Sequence, residues 1–377
     1  MLRPYRLKKN FFKTTIMNLV LRTKRILVIL CTVIFIISIQ TSFAQRPAPG
    51  HVWWNPMNAG GLLDDSSATK LSRIAVRGSR FVNAHGDTVL LRGLAIADPD
   101  DLVNRGHWNR ELFEKAKEMG AMIVRIPVHP AAWRSRTPQK YLQLLDQAVA
   151  WSTEFGMYVD IDWHSIGNLG MELFQDPSYN TTHRETYEFW RTIAQHYHGH
   201  NTVAFYELFN EPTLDFGMLG EMSWSEWKGI NEKIIHLIRA YDRVTIPLVA
   251  GLDWAYDLTP LNIEPIQAEG IGYVTHPYPH KRSKPWVPKW DEDFGFAAER
   301  WPVVATEFGF TGGDGGLKDN DDYGKEIVSY LEKKGMSWMC WVFDPRWQPP
   351  MLKSWDGYVL SEEGEFFKAA LHGKIGE

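Results

Sequence analysis

The sequence predicts an α/β protein: a single-domain (β/α)8 TIM barrel with a small β-hairpin in front. Three observations carry that reading. Eight apolar, strand-like runs recur along the chain, spaced by 26 to 45 residues. Segments with helical spacing of apolar residues lie between most of them. The stretch from Val89 to about residue 370 has the length that eight β-then-α units require, roughly 250 residues plus loops.

The elements follow in order. The hairpin is expected first, as Arg80–Asn83, a turn at Ala84-His85-Gly86-Asp87, and Thr88–Leu91. The eight runs begin near Val89, Met122, Tyr158, Val203, Thr245, Ile271, Trp301 and Met336. Helix-period segments span Arg110–Met119, Pro138–Glu154, His183–His196, Ser225–Tyr241, Asp322–Lys333 and Glu362–Leu371. A doubly wound open sheet would carry a glycine-rich nucleotide fingerprint after its first strand. Arg92-Gly93-Leu94-Ala95 does not fit one.

The first 44 residues read as a secretory signal instead of fold. Residues 1–25 carry eight Lys/Arg and no acid, a short apolar run follows from Ile26 to Ile37, and Ser42-Phe43-Ala44 offers small residues for cleavage. The expectation is a signal at 1–44, a leader at 45–69, a barrel domain at 70–377, and a secreted or periplasmic protein. The alternative is a membrane anchor through residues 26–44. The apolar run is shorter than the ~20 residues a spanning helix needs, which favours cleavage and no stable membrane association.

Removing residues 1–44 takes Lys+Arg from 41 to 33 against 45 Asp+Glu, and the formal net charge from −4 to −12. So acidic a chain is a poor partner for nucleic acid and is compatible with a neutral polymer. Of the two cysteines only Cys340 remains, in the apolar run Trp338-Met339-Cys340-Trp341-Val342. It is expected to be a buried structural thiol, with no intrachain disulfide and no cysteine-based metal site. Most of the 17 Trp are expected to fill core. Some are expected to line a cleft, because an aromatic face suits the apolar face of a pyranose.

A barrel makes a sharp demand: reactive residues lie at the C-terminal ends of its strands. Ionisable and polar residues do cluster there. The second run ends in Arg125, the third in Asp162-Trp163-His164, and the fourth in Asn210-Glu211-Pro212. The sixth ends in His276-Pro277-Tyr278 and the seventh in Glu307-Phe308-Gly309, while the eighth carries Trp338 and Trp341. Glu211 and Glu307 lie on strands three apart around the ring, so their ends face across the barrel mouth. They are the carboxylate pair that cleavage of a glycosidic bond requires. Glu207, Asp160 and Asp162 read as structural acids, with Glu207 paired to a base or an amide.

Leu208-Phe209-Asn210-Glu211-Pro212, with Ala305-Thr306-Glu307-Phe308-Gly309, resembles glycoside hydrolase family 5, which includes many cellulases. The family's active-site pattern is matched in order by Arg125, His164, Asn210, Glu211, His276, Tyr278, Glu307 and Trp341. The resemblance covers about residues 70–372. It implies a retaining β-glycanase with Glu307 as nucleophile and Glu211 as general acid/base. Arg125 and Tyr278 would lower the Glu307 pKa. Asn210 would hold the sugar 2-hydroxyl, His164 and His276 would bind hydroxyls or orient the carboxyls, and Trp341 would stack under the ring.

The expected substrate is a β-1,4-glucan, with mannan, xyloglucan or mixed-linkage glucan as alternatives, or net transglycosylation. A glycan-binding protein without activity would usually have lost one carboxylate, and both are present. No cofactor and no metal are expected: His164, His276 and His280 lack a helical His-x-x-x-His spacing and a companion carboxylate cluster. A monomer is expected. Trp133, Trp254, Tyr256, Trp286, Trp347 and Trp355 fall in loops after strands, and half of them are expected to form outer sugar subsites.

Overall fold

The computed structural model describes residues 71–213, 218–310 and 321–374. The expected signal at 1–44 and leader at 45–69 lie outside the described residues. Ala75–Arg77 (β1) pairs antiparallel with Arg80–Val82 (β2) through a tight turn at Gly78, φ 59°. The hairpin therefore sits one arm earlier than the sequence suggests. The Thr88–Leu91 arm keeps only the bridge Val82–Thr88. Leu91 is claimed elsewhere: its amide donates to Ser337 Oγ and its carbonyl accepts from Trp338.

The chain then runs through Arg92–Ala95 (β3), Pro99–Asn104 (α1), Arg110–Glu118 (α2), Ile123–Val128 (β4), Pro130–Arg136 (α3), Pro138–Phe155 (α4) and Tyr158–Trp163 (β5). Ile166–Asn168 (β6), Leu173–Phe174 (β7), His183–Tyr197 (α5), Val203–Glu207 (β8), Glu211–Pro212 (β9), Trp224–Arg239 (α6) and Ile246–Ala250 (β10) follow. The last third holds Gly272–Thr275 (β11), Val287–Asp293 (α7), Val303–Ala305 (β12), Asp321–Lys334 (α8), Ser337–Cys340 (β13), Leu352–Ser354 (β14), Val359–Leu360 (β15) and Glu362–Leu371 (α9).

Strands β3, β4, β5, β8, β10, β11, β12 and β13 pair in parallel and close into a barrel, with β13 returning to β3. Parallel strands covered on both faces read as continuous apolar runs, as these do; every residue of β4, β5, β8, β10 and β11 is buried. The helices begin where the sequence supplies caps. Asn109 accepts from the Leu112 amide, Thr182 from Glu185, and Ser361 from Gly364. Ser223 and Glu226 form a reciprocal capping box on α6. Between β10 and β11 the described chain makes only a 3-10 turn, Thr259–Asn262, in place of a helix.

Side chains alternate across a strand, so every second residue of the barrel points inward. Ile123, Tyr158, Phe205, Leu248, Val274, Val304 and Met339 pack together as an apolar floor, closed from below by Phe81 of the hairpin. Phe81 and Phe205 rings lie 4.9 Å apart. Two residues further along the same strands the inward side chains change character. They are Arg125, Asp160, Glu207, His276, Thr306 and Trp341. A charged upper layer thus rests on an apolar lower one.

Candidate active site

Arg125, fully buried on β4, organises that upper layer. It donates through Nε and Nη2 to both Glu207 oxygens, at 2.8 and 2.9 Å. Nη2 also reaches Asn210 Oδ1 at 2.6 Å and Asp162 Oδ2 at 3.0 Å, and Nη1 donates to Glu307 Oε2 at 2.8 Å. Such a fork holds several acids in fixed geometry. The Glu207 pairing expected from sequence is with this arginine.

Asn210 and Glu211 are not part of the barrel strand. Barrel strand β8 ends at Glu207, and Glu211-Pro212 instead pairs with Ile166-Gly167 of β6. The Asn210 amide donates to the Trp163 carbonyl at 3.1 Å and that of Glu211 to Ser165 at 3.0 Å. The chain after β8 is thereby laid along the rim of β5, which turns Glu211 toward the barrel axis.

Tyr278 donates its hydroxyl to Glu307 Oε1 at 2.8 Å, and His276 Nδ1 lies 3.0 Å from Glu211 Oε1. An oxygen of Glu211, one of Glu307 and a ring nitrogen of His276 all lie within 4.8 Å of one another. His164 stacks on Trp341 with 5.5 Å between centroids and 7° between planes, and its Nδ1 meets Asp162 Oδ2 at 2.6 Å. The Trp341 indole donates to the Gln348 carbonyl at 2.9 Å, and the Arg125 guanidinium lies 5.9 Å from its ring. All eight residues singled out by sequence therefore converge on one mouth.

The electrostatics correct one expectation. Glu307 was expected to be held low by Arg125 and Tyr278. Burial is the largest influence and pushes its carboxyl above the ordinary value; His276 and Arg125 pull down, Glu211 pushes up, and Tyr278 pulls down. Burial also pushes Asp160 and Asp162 well up. Glu207 goes the other way: burial opposes its charge, but Arg125 and the nearby His276 bring it to about 2. Burial would lower His276, yet Glu307, Glu207 and Glu211 together raise it to about 9.

His276 gives a stability prediction. A proton held more tightly in the folded state stabilises fully below the unfolded pKa, near 6.5, and that contribution is lost as pH rises toward 9. Asp160, raised by burial, acts in the same direction. The midpoint of thermal unfolding is expected to fall steadily from pH 6.5 to 9 in scanning calorimetry. A flat midpoint across that window would contradict the charge assignment.

The loop aromatics divide by burial. Trp133, Tyr256 and Trp286 are core: Trp133 packs on Phe189, Tyr256 donates to Asp293, and Trp286 stacks on Trp290. Trp254, Trp347 and Trp355 are part-exposed. Trp347 tilts against Trp341 at 5.5 Å. Trp254 sits in a run of three left-handed residues, Asp253, Trp254 and Ala255, at φ 58°, 55° and 60°. Non-glycine residues pay roughly 1–2 kcal/mol each for that conformation. The run is clamped by Lys281 Nζ on the Asp253 carbonyl and by the Trp254 amide on the Pro212 carbonyl, one residue from Glu211. Sequence reasoning missed Thr306, Tyr179 and His129. His129 stacks on Tyr179 and edges onto His164 and Trp347, extending the aromatic wall.

A closed (β/α)8 barrel with two carboxylates meeting at its C-terminal rim defines the class of barrel glycoside hydrolases. Residues 82–346 match the family described as Cellulase (glycosyl hydrolase family 5), and the chain belongs to it. Endoglucanase A of Butyrivibrio fibrisolvens is 26% identical over 297 residues, 74% of this chain and 62% of that protein. Endoglucanase E-5 of Thermobifida fusca is 24% identical over 319 residues, 80% of this chain and 64% of that protein. The chain thus spans less than two thirds of the length of these curated relatives. A β-glucanase from Saccharophagus degradans, crystallised with cellotetraose, is 44% identical with a TM-score of 0.81, covering 86% of this chain and 100% of that one.

Proposed function

We propose that this protein is a retaining, endo-acting β-1,4-glucanase. The observation that carries the mechanism is the meeting of Glu211 and Glu307 oxygens within 4.8 Å. Retaining glycosidases hold their carboxyls about 5–5.5 Å apart, and inverting ones leave about 6.5–9.5 Å for a water. Glu307, anchored by Arg125 and Tyr278, attacks the anomeric carbon. Glu211 gives its proton to the departing oxygen, and the electron pair of the broken C–O bond stays on that oxygen. Glu211 then takes a proton from water, which attacks the glycosyl ester and frees Glu307.

Asn210 has its amide oxygen committed to Arg125, which leaves the NH2 to donate to a sugar 2-hydroxyl. Trp341, backed by His164, is a platform beneath the sugar before the scissile bond. Trp347, against Trp341, and Trp254, beside Pro212, add aromatic surface at the rim. The glucan reading is supported by relatives that are endoglucanases and by a 44% identical neighbour crystallised with cellotetraose. Export as a secreted or periplasmic monomer completes the reading.

Carboxymethylcellulose, barley mixed-linkage glucan, xyloglucan and glucomannan, assayed side by side, test it. Internal cleavage of a glucan with β-configured new ends is the expected result. Initial α-anomers would overturn retention, preference for glucomannan the substrate class, and no cleavage of any glucan the activity itself.

A further inference from the structure

The hydrogen bonds around His276 fix where its protons sit. Thr306 Oγ1 lies 3.0 Å from Glu207 Oε1 and 3.0 Å from His276 Nε2. A hydroxyl has one proton to give, and a carboxylate can only accept. Glu207 is a carboxylate, gripped through both oxygens by Arg125. The Thr306 proton therefore goes to Glu207, and its oxygen must accept from His276. Nε2 carries a hydrogen. The other ring nitrogen, Nδ1, faces Glu211 Oε1 at 3.0 Å.

We propose that Thr306 is a positioning residue that selects which oxygen of Glu211 carries the catalytic proton. With Nε2–H locked on Thr306, Nδ1 carries a hydrogen only when the ring is an imidazolium, the form that the carboxylates packed around it favour, and that hydrogen then points at Glu211 Oε1, 3.0 Å away. That oxygen is then an acceptor, and the acid proton belongs on Oε2. At the acid step the Oε2–H bond breaks, a new O–H bond forms on the departing sugar oxygen, and the cleaved C–O pair stays there. The carboxylate left on Glu211 faces an imidazolium, which stabilises it. The inference rests on the proposed hydrolysis for its kinetic meaning, but the placing of hydrogens on the His276 ring stands on the resting protein.

The charged groups facing His276 come from several elements. Glu207 and Glu211 lie at and beyond the end of β8, Glu307 follows β12, Asp162 is on β5, and Arg125 on β4 shares Glu207 with it. His164, after β5, adds a repulsive contribution only if protonated, and burial together with His129 and Arg125 holds it well below its usual range. Thr306 is the neutral link between the ring and Glu207. Without it, Nε2 has Glu207 at 3.6 Å as the nearest anion, beyond hydrogen-bond reach. The sequence signal for Thr306 is its register: it follows Val304 of the apolar floor by two and so points inward.

The test compares wild type, Thr306→Val, which keeps the shape, and Thr306→Ser, which keeps the hydroxyl. In nitrogen-15 histidine NMR, with His276→Asn identifying the signal, the wild-type ring is expected to carry hydrogen on both nitrogens at neutral pH. Thr306→Val is expected to lower its titration midpoint by about one pH unit, the worth of one hydrogen bond to a charged group. Turnover of cellotetraose should fall about tenfold, within the span general acid catalysis supplies. For dinitrophenyl β-cellobioside, whose leaving group needs no proton, kcat/KM, which reports the first step alone, should change less than twofold. Thr306→Ser should restore both.

A bare Nε2 or Nδ1 in wild type, an unmoved titration in Thr306→Val, or equal loss on both substrates would overturn the assignment. Equal loss would mean that Thr306 only places its neighbour Glu307. If wild type cleaved neither substrate, the proposed activity would fail, while the NMR arm would still judge the role of Thr306.

Discussion

Glu307→Ala is expected to abolish measurable turnover, a loss of at least ~10³-fold, with the fold intact. Glu307 is the acid gripped from both sides, by Arg125 Nη1 and the Tyr278 hydroxyl, and among the described residues no other carboxylate is held by both. Glu207 and Asp162 lie against the same arginine, but in the fully buried layer beneath. Glu211→Ala should lose turnover by roughly 10²–10⁴-fold on natural glycans. On dinitrophenyl β-cellobioside, whose leaving group needs no proton, azide should speed the Glu211→Ala variant by replacing water in the second step and yield a β-glycosyl azide. That product separates the roles: azide acting on Glu307→Ala instead, or wild-type rates in either variant, would refute the assignment.

Arg125→Met is expected to have the largest effect on stability, on the order of 3–5 kcal/mol. It removes the guanidinium shared by Asp162, Glu207 and Glu307, and it leaves Asn210 Oδ1 without its donor. Buried carboxylates stripped of their partner must take up protons or unfold. Loss is therefore expected to be steepest at alkaline pH, where His276 also releases its proton. Denaturant midpoints at pH 5 and 9 check this. Equal destabilisation at both would show that the arginine acts through shape alone. Arg125→Lys should rescue little, because an ammonium cannot reproduce the fork onto Glu207.

Strand-end positions, together with the resemblance to the family's active-site pattern, made the eight convergent residues legible in the sequence. Parallel strands hidden on both faces must be apolar for their length, so a polar residue at the end of such a run stands out. Glu211, His276 and Glu307 were visible for that reason. The helices were legible through spacing and caps, and α9 matches its expected span of Glu362–Leu371. The hairpin was displaced because Leu91, a fair second arm by pattern, has a stronger bonding partner in β13. The Glu307 expectation erred by counting its hydrogen-bond donors without its burial, and burial cannot be read from a motif.

By itself, then, the sequence determined the barrel, its open end and the identity of the acids there, because strand periodicity and the C-terminal rule are local properties of the chain. Tertiary structure alone decided that the chain leaves the barrel after Glu207 and hooks Glu211 onto β6. It also decided which loop tryptophans are core and which face solvent, and that Thr306 stands between His276 and Glu207. These depend on contacts between segments tens of residues apart, and on how much water each group keeps. A charge or a hydroxyl takes its role from those neighbours, and no local pattern records them.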